Sequence, residues 1–402
     1  MKTCIVNDGC IEGQLSSTSV ERFFRNNKHV LTKDPSEADL VVLWVCGLTE
    51  QREKQALETI QNVKKAMKLD AKLVVWGCLP KINPEALRKV YDGPIVGALD
   101  TDFFRGLVEN ESAVCDNMDI SGSIDSLVPS VRTGIQHGDA ATDAILSVQS
   151  TWKRSWERAR KEIPFVIRVA KGCTGICSYC SELPVFGRIK SRSLASIVSD
   201  FAIGLKHGYR SFSLMATDLG AYGKDIGYTL PDLLREMIRT DRTGNYKIVL
   251  NQVNPFHLRN LYSDLEEIFE SGRINTLCSP VQSGSDRILR LMRRPHTAEE
   301  WRAYMILMSR KFPRIHLMTQ FMVGFPTETE EDFKATEKLL EYPVSFDYVH
   351  IFKFSRRPHV YAAQIAGQIA ESTKESRRER LLRKYALTKG LSMFRKSAHG
   401  II

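Results

Sequence analysis

The chain has 402 residues, 43% of them apolar and 26% charged, and a net charge of +10. That length admits two or three domains with at least one large core, and the balance is that of an ordinary soluble protein. The longest apolar run, 40–46, is far short of a membrane span, and Met1-Lys-Thr-Cys leads into a strand rather than a signal peptide, so no membrane partner and a cytoplasmic location are expected.

Nine cysteines, at 4, 10, 46, 78, 115, 173, 177, 180 and 278, make an odd set with no small secreted framework. Such a set points to metal binding in a reducing compartment rather than to disulfides. The positive charge leans toward an anionic partner, although solubility alone accounts for it.

Residues 1–110 alternate short apolar runs with helical stretches. Strands are predicted over 3–7, 40–45, 73–76 and 94–96, and helices over 17–26, 50–67 and 84–90. This rhythm predicts a small doubly wound α/β domain, in which ligands gather past the carboxyl ends of the strands. Cys10, Cys46 and Cys78 fall there, each after a different strand. One such cysteine is a small buried hydrophobe. Three at equivalent strand ends can form a three-thiolate cluster site. Cys4, Cys115 and Cys278 are assigned no role.

Residues 111–160 carry no clear period and read as a linker. Its last stretch, 149–160, is basic and helix-compatible, with Trp152 and Trp156 at i,i+4, a spacing that simple helix packing explains.

The stretch after it is chemically the most informative. An apolar, strand-like run ending at Val169 delivers Cys173, Cys177 and Cys180 at C-x3-C-x2-C, with Gly172 and Gly175 loosening the loop. Three thiolates around a [4Fe–4S] cube leave one iron open for an exogenous ligand. A structural zinc or a closed cluster would want a fourth Cys or His nearby, and the next cysteine is Cys278.

From 164 onward, strands are predicted over 165–169, 211–215, 247–251, 276–281, 315–323 and 348–354. Helices fall between them, over 193–206, 230–240, 258–271, 285–292, 297–311 and 330–342. Six such units fit a partial (β/α)6 barrel with its site at the carboxyl ends of the strands. Asp218, Tyr222, Asn254, Gln282, Ser283 and Gly324 follow those strands and are candidate ligand contacts. After Phe354 no alternating strands are expected. Residues 374–396 read as a helix with nine Lys or Arg against two Glu, by default a solvated face that could also touch phosphates or an acidic peptide.

The C-x3-C-x2-C spacing, with Tyr179 before its last cysteine, is the signature of radical S-adenosylmethionine (SAM) enzymes. Nearly the whole chain, to about residue 370, resembles the methylthiotransferase family of these enzymes. The matching motifs are Gly9-Cys10, Cys46-Gly-Leu-Thr-Glu50, Gly77-Cys78, the cysteine loop, Asp218 to Gly227, Pro280-Val-Gln-Ser-Gly-Ser-Asp286, Met292-Arg-Arg, Val323 to Phe333 and Phe354-Ser-Arg-Arg. The resemblance implies four parts: an auxiliary-cluster domain (1–110), a linker (111–160), a radical SAM barrel (161–370) and a basic helical tail (371–402). It also implies two [4Fe–4S] clusters, one on Cys173, Cys177 and Cys180 and the other on Cys10, Cys46 and Cys78.

By the same resemblance, one SAM methylates a sulfur on the auxiliary cluster. A second is cleaved to a 5′-deoxyadenosyl radical that opens an unactivated C–H bond of the substrate. Tyr179, Asp218, Tyr222, Gln282, Ser283 and the turn Val323, Gly324, Phe325 are expected to line SAM, and a flavodoxin- or ferredoxin-type donor is expected to supply electrons.

The chain departs from the family in lacking, after Phe354, the strands of the small RNA-gripping TRAM barrel. It also has Glu12-Gly-Gln-Leu-Ser-Ser where Asn and Asp-Ser are usual, and Gln320 where Asp is common. The runs Asp218 to Gly227 and Asn254-Pro-Phe-His look most like the branch acting on threonylcarbamoyladenosine in tRNA. The missing barrel favours a peptide or natural-product substrate, with tRNA the alternative. A radical SAM enzyme that does not transfer methylthio, or a non-enzymatic iron–sulfur RNA-binding protein, are the rivals.

Overall fold

A computed structural model describes residues 1–7, 10–108, 121–123 and 164–398, with 121–123 and the last eight described by backbone alone. Gly9, Cys115 and the expected helix with Trp152 and Trp156 lie outside the described residues.

The first unit runs β1 (Lys2–Asn7), α1 (Ile11–Asn26), β2 (Val30–Thr32), β3 (Leu40–Val45), α2 (Glu50–Ala66), β4 (Lys72–Gly77), the short helices α3 (Leu79–Ile82) and α4 (Pro84–Arg88), and β5 (Ile95–Gly97). Its five strands are parallel, in the order β2-β1-β3-β4-β5. Every side chain of β3 is buried, as a central strand covered on both faces requires. One face packs Val41, Leu43 and Val45 against Ala56, Ile60 and Val63 of α2. The other packs Trp44 and Trp76 against Phe23 and Phe24 of α1, with Trp44 edge-on to Trp76 at 4.7 Å. Burying each such large apolar side chain contributes about 1.5–3 kcal/mol.

The second unit runs β6 (Ser121–Ser123), β7 (Phe165–Arg168), β8 (Ala170–Lys171), α5 (Leu183–Phe186), β9 (Lys190–Ser191), α6 (Leu194–Lys206), β10 (Ser211–Met215), α7 (Leu230–Thr240), β11 (Lys247–Leu250), α8 (Pro255–Glu270), β12 (Ile274–Cys278), α9 (Asp286–Leu291), α10 (Ala298–Lys311), β13 (His316–Val323), α11 (Glu330–Lys338), β14 (Tyr348–Lys353) and α12 (Glu371–Ala398). The sheet order is β14-β13-β12-β11-β10-β7-β6, parallel except where β6 joins β7 antiparallel. The stretch read as a linker therefore lends one strand to the barrel sheet. Reciprocal capping boxes at Thr229/Asp232, Thr297/Glu300 and Thr329/Asp332 start α7, α10 and α11.

Helix α12 corrects the expectation of a solvated basic tail. It lies against β14 and β13 as the sixth helix of the barrel, with Leu381 and Tyr385 in the main core. Its cations are taken up by acids of the barrel: Arg377 by Glu328 at 2.8 Å, Arg380 by Glu330 and Glu337 at 2.7 Å each, Lys384 by Glu341 at 2.7 Å and Lys389 by Asp347 at 3.0 Å.

The two sheets turn their carboxyl ends toward one another. Leu15 of α1 packs on Val166 of β7 and Met215 of β10. The Glu50 amide donates to Ser355 Oγ at 2.9 Å, Ser181 Oγ donates to the Leu48 carbonyl at 3.5 Å, and Arg357 pairs with Glu53. Among the described residues no helix is long and apolar enough to cross a membrane.

Candidate active site

Strand register determines where the N-terminal cysteines lie. Trp44 pairs with both Asn7 and Trp76, and Val45 with Gly77, so β1, β3 and β4 end level with one another. Cys46 and Cys78 follow at the next positions, both buried, and the Cys78 amide donates to the Val45 carbonyl at 3.0 Å. Cys10 caps α1, its Sγ accepting from the Gly13 amide at 3.1 Å. Cys10 and Cys78 pack with the same core.

The second triad is local. After β8 the chain turns through Cys173, Cys177 and Cys180 and re-enters the fold at α5, whose Val185 and Phe186 pack into the core beneath Cys78. The Gly175 amide donates to Cys173 Sγ at 3.1 Å, and the Cys180 amide to the Cys177 carbonyl at 3.2 Å. A Cβ at Gly175 would lie 3.3 Å from Cys173 Sγ and 3.7 Å from Cys177 Sγ, so glycine leaves open a gap with sulfur on two sides. Among the described residues no three His, Cys, Asp or Glu close on a single metal ion. The thiolates of an iron–sulfur cube need not do so, because each binds a different iron. Three thiols in one loop, two of them bordering a gap that a Cβ would fill, suit such a cluster.

Burial, then the neighbouring Asp218 carboxyl, pushes the Cys173 thiol up to about 12; burial and Glu182 do the same to Cys180. At neutral pH these thiols keep their protons.

Two polar groups that sequence reasoning missed brace this loop. Arg294 is buried; its guanidinium reaches Cys177 Sγ at 3.7 Å and donates to the Pro280 carbonyl at 2.6 Å. His257 Nε2 lies 3.3 Å from Asp218 Oδ2 and 3.2 Å from Thr174 Oγ1, while Asp218 Oδ2 also accepts from Cys173 Sγ at 3.6 Å. Arg294 and His257 both sit inside motifs of the sequence, Met292-Arg-Arg and Asn254-Pro-Phe-His, and that was the available signal.

The candidate SAM contacts divide. Asp218 Oδ1 and Gln282 Oε1 are buried without a hydrogen-bond partner among the described residues. Gln282 holds a left-handed backbone (φ 77°), an uncommon cost for a residue with a Cβ and a mark of functional sites. Tyr179 and Met322 pack against the same small core, and burial raises the Tyr179 phenol well above the usual range. Two orphaned acceptors, both just past the ends of barrel strands, suit a ligand carrying ammonium or hydroxyl donors.

The others make contacts within the protein. Tyr222 is fully buried in the barrel core, its hydroxyl donating to the Arg192 carbonyl at 3.2 Å. Ser283 Oγ is engaged by the Ser285 amide at 3.1 Å, and Asn254 caps α8 through the Phe256 amide at 3.2 Å. Val323 points into the main core and Phe325 into a small core with Phe354. The Gly324 amide donates to Glu328 Oε2 at 2.7 Å, and at φ 72° a Cβ there would collide with the stem of Lys374.

Between the triads lies a buried ionic seam. Glu12 Oε1 is 2.9 Å from Arg168 and 3.5 Å from Lys171 Nζ. Burial opposes ionisation of Glu12, but the two cations more than offset it and hold its carboxyl below the usual range. Burial, then Arg168, brings Lys171 down to about 7, and Cys78 is among the groups that act on it. Partial burial, then the charge of Glu12, raises Glu182 to about 7. The unusual Glu12 thus has its counter-charges on the strand pair that leads to the loop cysteines.

Comparison with known proteins agrees with this layout. Residues 167–340 match the radical SAM superfamily, and residues 2–96 match the Uncharacterized protein family UPF0004. The chain is 28% identical over 397 residues to a probable threonylcarbamoyladenosine tRNA methylthiotransferase of Pyrococcus abyssi, covering 96% of this chain and 84% of that protein. It is 29% identical to the tRNA-2-methylthio-N(6)-dimethylallyladenosine synthase of Aquifex aeolicus (93% and 81% covered), and 28% identical to the ribosomal protein uS12 methylthiotransferase of Protochlamydia amoebophila (86% and 68%). In fold it is similar to the radical SAM methyltransferase TsrM of Kitasatospora setae, with a TM-score of 0.61 at 15% identity over 90% of this chain and 75% of that one. With a cysteine triad at the mouth of each sheet and both halves matched in order, the chain belongs to the radical SAM methylthiotransferase family.

Proposed function

We propose that this enzyme places a methylthio group on a modified adenosine of tRNA. Cys173, Cys177 and Cys180 would hold the SAM-binding [4Fe–4S] cluster, and Cys10, Cys46 and Cys78 the auxiliary one. When bound, SAM and the clusters supply the methyl group, the sulfur and the one-electron chemistry that opens an unactivated C–H bond. The observation carrying the reading is that both triads open on one seam, across Glu12, Arg168 and Lys171.

The protein's part is placement. Asp218 and Gln282 offer unpaired acceptors to SAM, Arg294 screens charge at Cys177, and the seam keeps bulk water from the space between the triads. The tRNA-directed names of several relatives favour RNA over the peptide or natural product that the missing strands suggested. Exposed Arg188, Arg293 and Arg356 border the mouth and suit phosphate.

The test is anaerobic reaction of the reconstituted enzyme with SAM, reductant and unmodified tRNA, followed by mass spectrometry of the nucleosides. Wild type should yield a methylthio-adenosine. The Cys10/Cys46/Cys78→Ala triple variant should hold half the iron and still release 5′-deoxyadenosine, without that product. Release of 5′-deoxyadenosine by wild type with no methylthio nucleoside from any tRNA would overturn the RNA reading.

A further inference from the structure

We propose that Tyr348, His350 and Phe352, with Gln320 beside them, form a shelf on which the target purine base stacks inside the barrel; this rests on the tRNA reading above. The three rings occupy alternate positions of β14, so they share one face of the strand. Val349 and Ile351, on the other face, belong to the core under the helices, which leaves the rings facing the barrel interior. β14 is an edge strand of the sheet, so among the described residues this wall has no further strand beyond it to close off a bulky ligand.

The rings are ordered among themselves. His350 and Phe352 are parallel to within 4°, with centroids 5.5 Å apart, and Tyr348 meets His350 edge-on at 4.5 Å. Phe352, at the end nearest the mouth, is 41% exposed, a large apolar ring left uncovered at a site entrance. Its register partner is Met322, which shares a small core with Tyr179 of the cysteine loop. The shelf therefore ends one strand away from the radical-generating loop.

Gln320 points to the occupant. It pairs in register with His350, on the same face, and its side-chain amide makes no hydrogen bond to any described residue. A glutamine amide offers one donor and one acceptor side by side, the pattern that matches an adenine edge. An aliphatic peptide side chain would gain little from parallel rings, and it has no donor–acceptor edge to satisfy the amide. A purine uses both, since base–aromatic stacking needs only a π face. The chain's Gln320, where Asp is common in its family, fits a neutral base better than a charged group.

The test uses the full-length protein and a tRNA anticodon stem-loop with 2-aminopurine at the target position, whose fluorescence is quenched by stacking. Wild type should bind with quenching. Phe352→Leu and His350→Leu keep apolar volume but remove the π face. Each should weaken binding about tenfold and relieve the quenching. Phe352→Trp should retain both, which separates stacking from a folding defect. Gln320→Glu should weaken the adenine loop more than the 2-aminopurine loop, which has no 6-amino group, without changing the salt slope that reports phosphate contacts. Unchanged affinity and quenching in both leucine variants would overturn the shelf while leaving the tRNA reading intact. Absence of binding by wild type would instead overturn the tRNA reading, and the shelf with it.

Discussion

Cys173, Cys177 and Cys180 lie within one short loop, whereas Cys10, Cys46 and Cys78 come from three strands that meet only because the first sheet orders them β1-β3-β4. The loop triad depends on local geometry: a glycine gap, one arginine and one aspartate. The strand triad depends on the whole sheet, and so on Trp44, Trp76 and the helices that cover them. Damage to the core of the first unit should therefore cost one cluster and spare the other.

Trp76→Ala is the strongest way to break that contrast. Trp76 is fully buried, edge-on to both Trp44 and Phe104 and hydrogen-bonded to the Gly97 carbonyl at 3.0 Å. Its loss should destabilise the first unit by about 3–5 kcal/mol. After reconstitution, iron should fall by about half, with the EPR signal of the loop cluster kept. Equal loss from both clusters would show that the triads do not depend on separate supports.

A smaller effect is expected at the seam. Arg168→Met leaves Glu12 facing Lys171 alone across 3.5 Å. Breaking a buried pair on one side costs about 3–5 kcal/mol, and the remaining lysine should hold the loss near the lower end. Pairing it with Glu12→Gln should recover much of that loss in urea melts. If the double variant is no more stable than the single one, the seam is not an ionic unit. A measured coupling would identify it as the joint between the two otherwise independent supports.

How much of this was legible follows from the same contrast. The loop triad could be read directly, and the strand triad could be read because parallel β/α order predicts which strand ends meet. Helix α1 was expected to begin at 17 and begins at Ile11. Its first turns bury the polar Gln14, Ser16 and Ser17, with Ser16 against Arg168 of the barrel, so no apolar period marks them. β2 and β6 are three residues each, too short for a pattern. Tyr222 and Ser283 follow strands in the right place, but which way a side chain turns after a strand is decided by tertiary packing. The packing of α12 is hard to read because its partners are acids 40 to 50 residues upstream, and Leu381, Leu382 and Tyr385 are all that marks a buried apolar stripe among its described side chains.

That last helix gives the smallest prediction. Asp347, at the foot of β14, sits 3.0 Å from Lys389 and 3.4 Å from His316 and accepts from the Leu317 amide at 3.2 Å. Burial opposes its ionisation, but His316 and Lys389 outweigh that and bring its carboxyl down to about 2. A depressed acid stabilises the fold above its unfolded-state value, near 3.9, and the contribution fades as the pH falls toward the folded-state value. Asp347→Asn should therefore cost about 1–2 kcal/mol at pH 6 by urea melts. Between about pH 4 and pH 2 the difference should close. A gap that persists at the acid end would mean that Asp347 acts through hydrogen-bond geometry alone, and that the charge pairing along α12 contributes little to fastening the sixth helix to the open edge of the barrel.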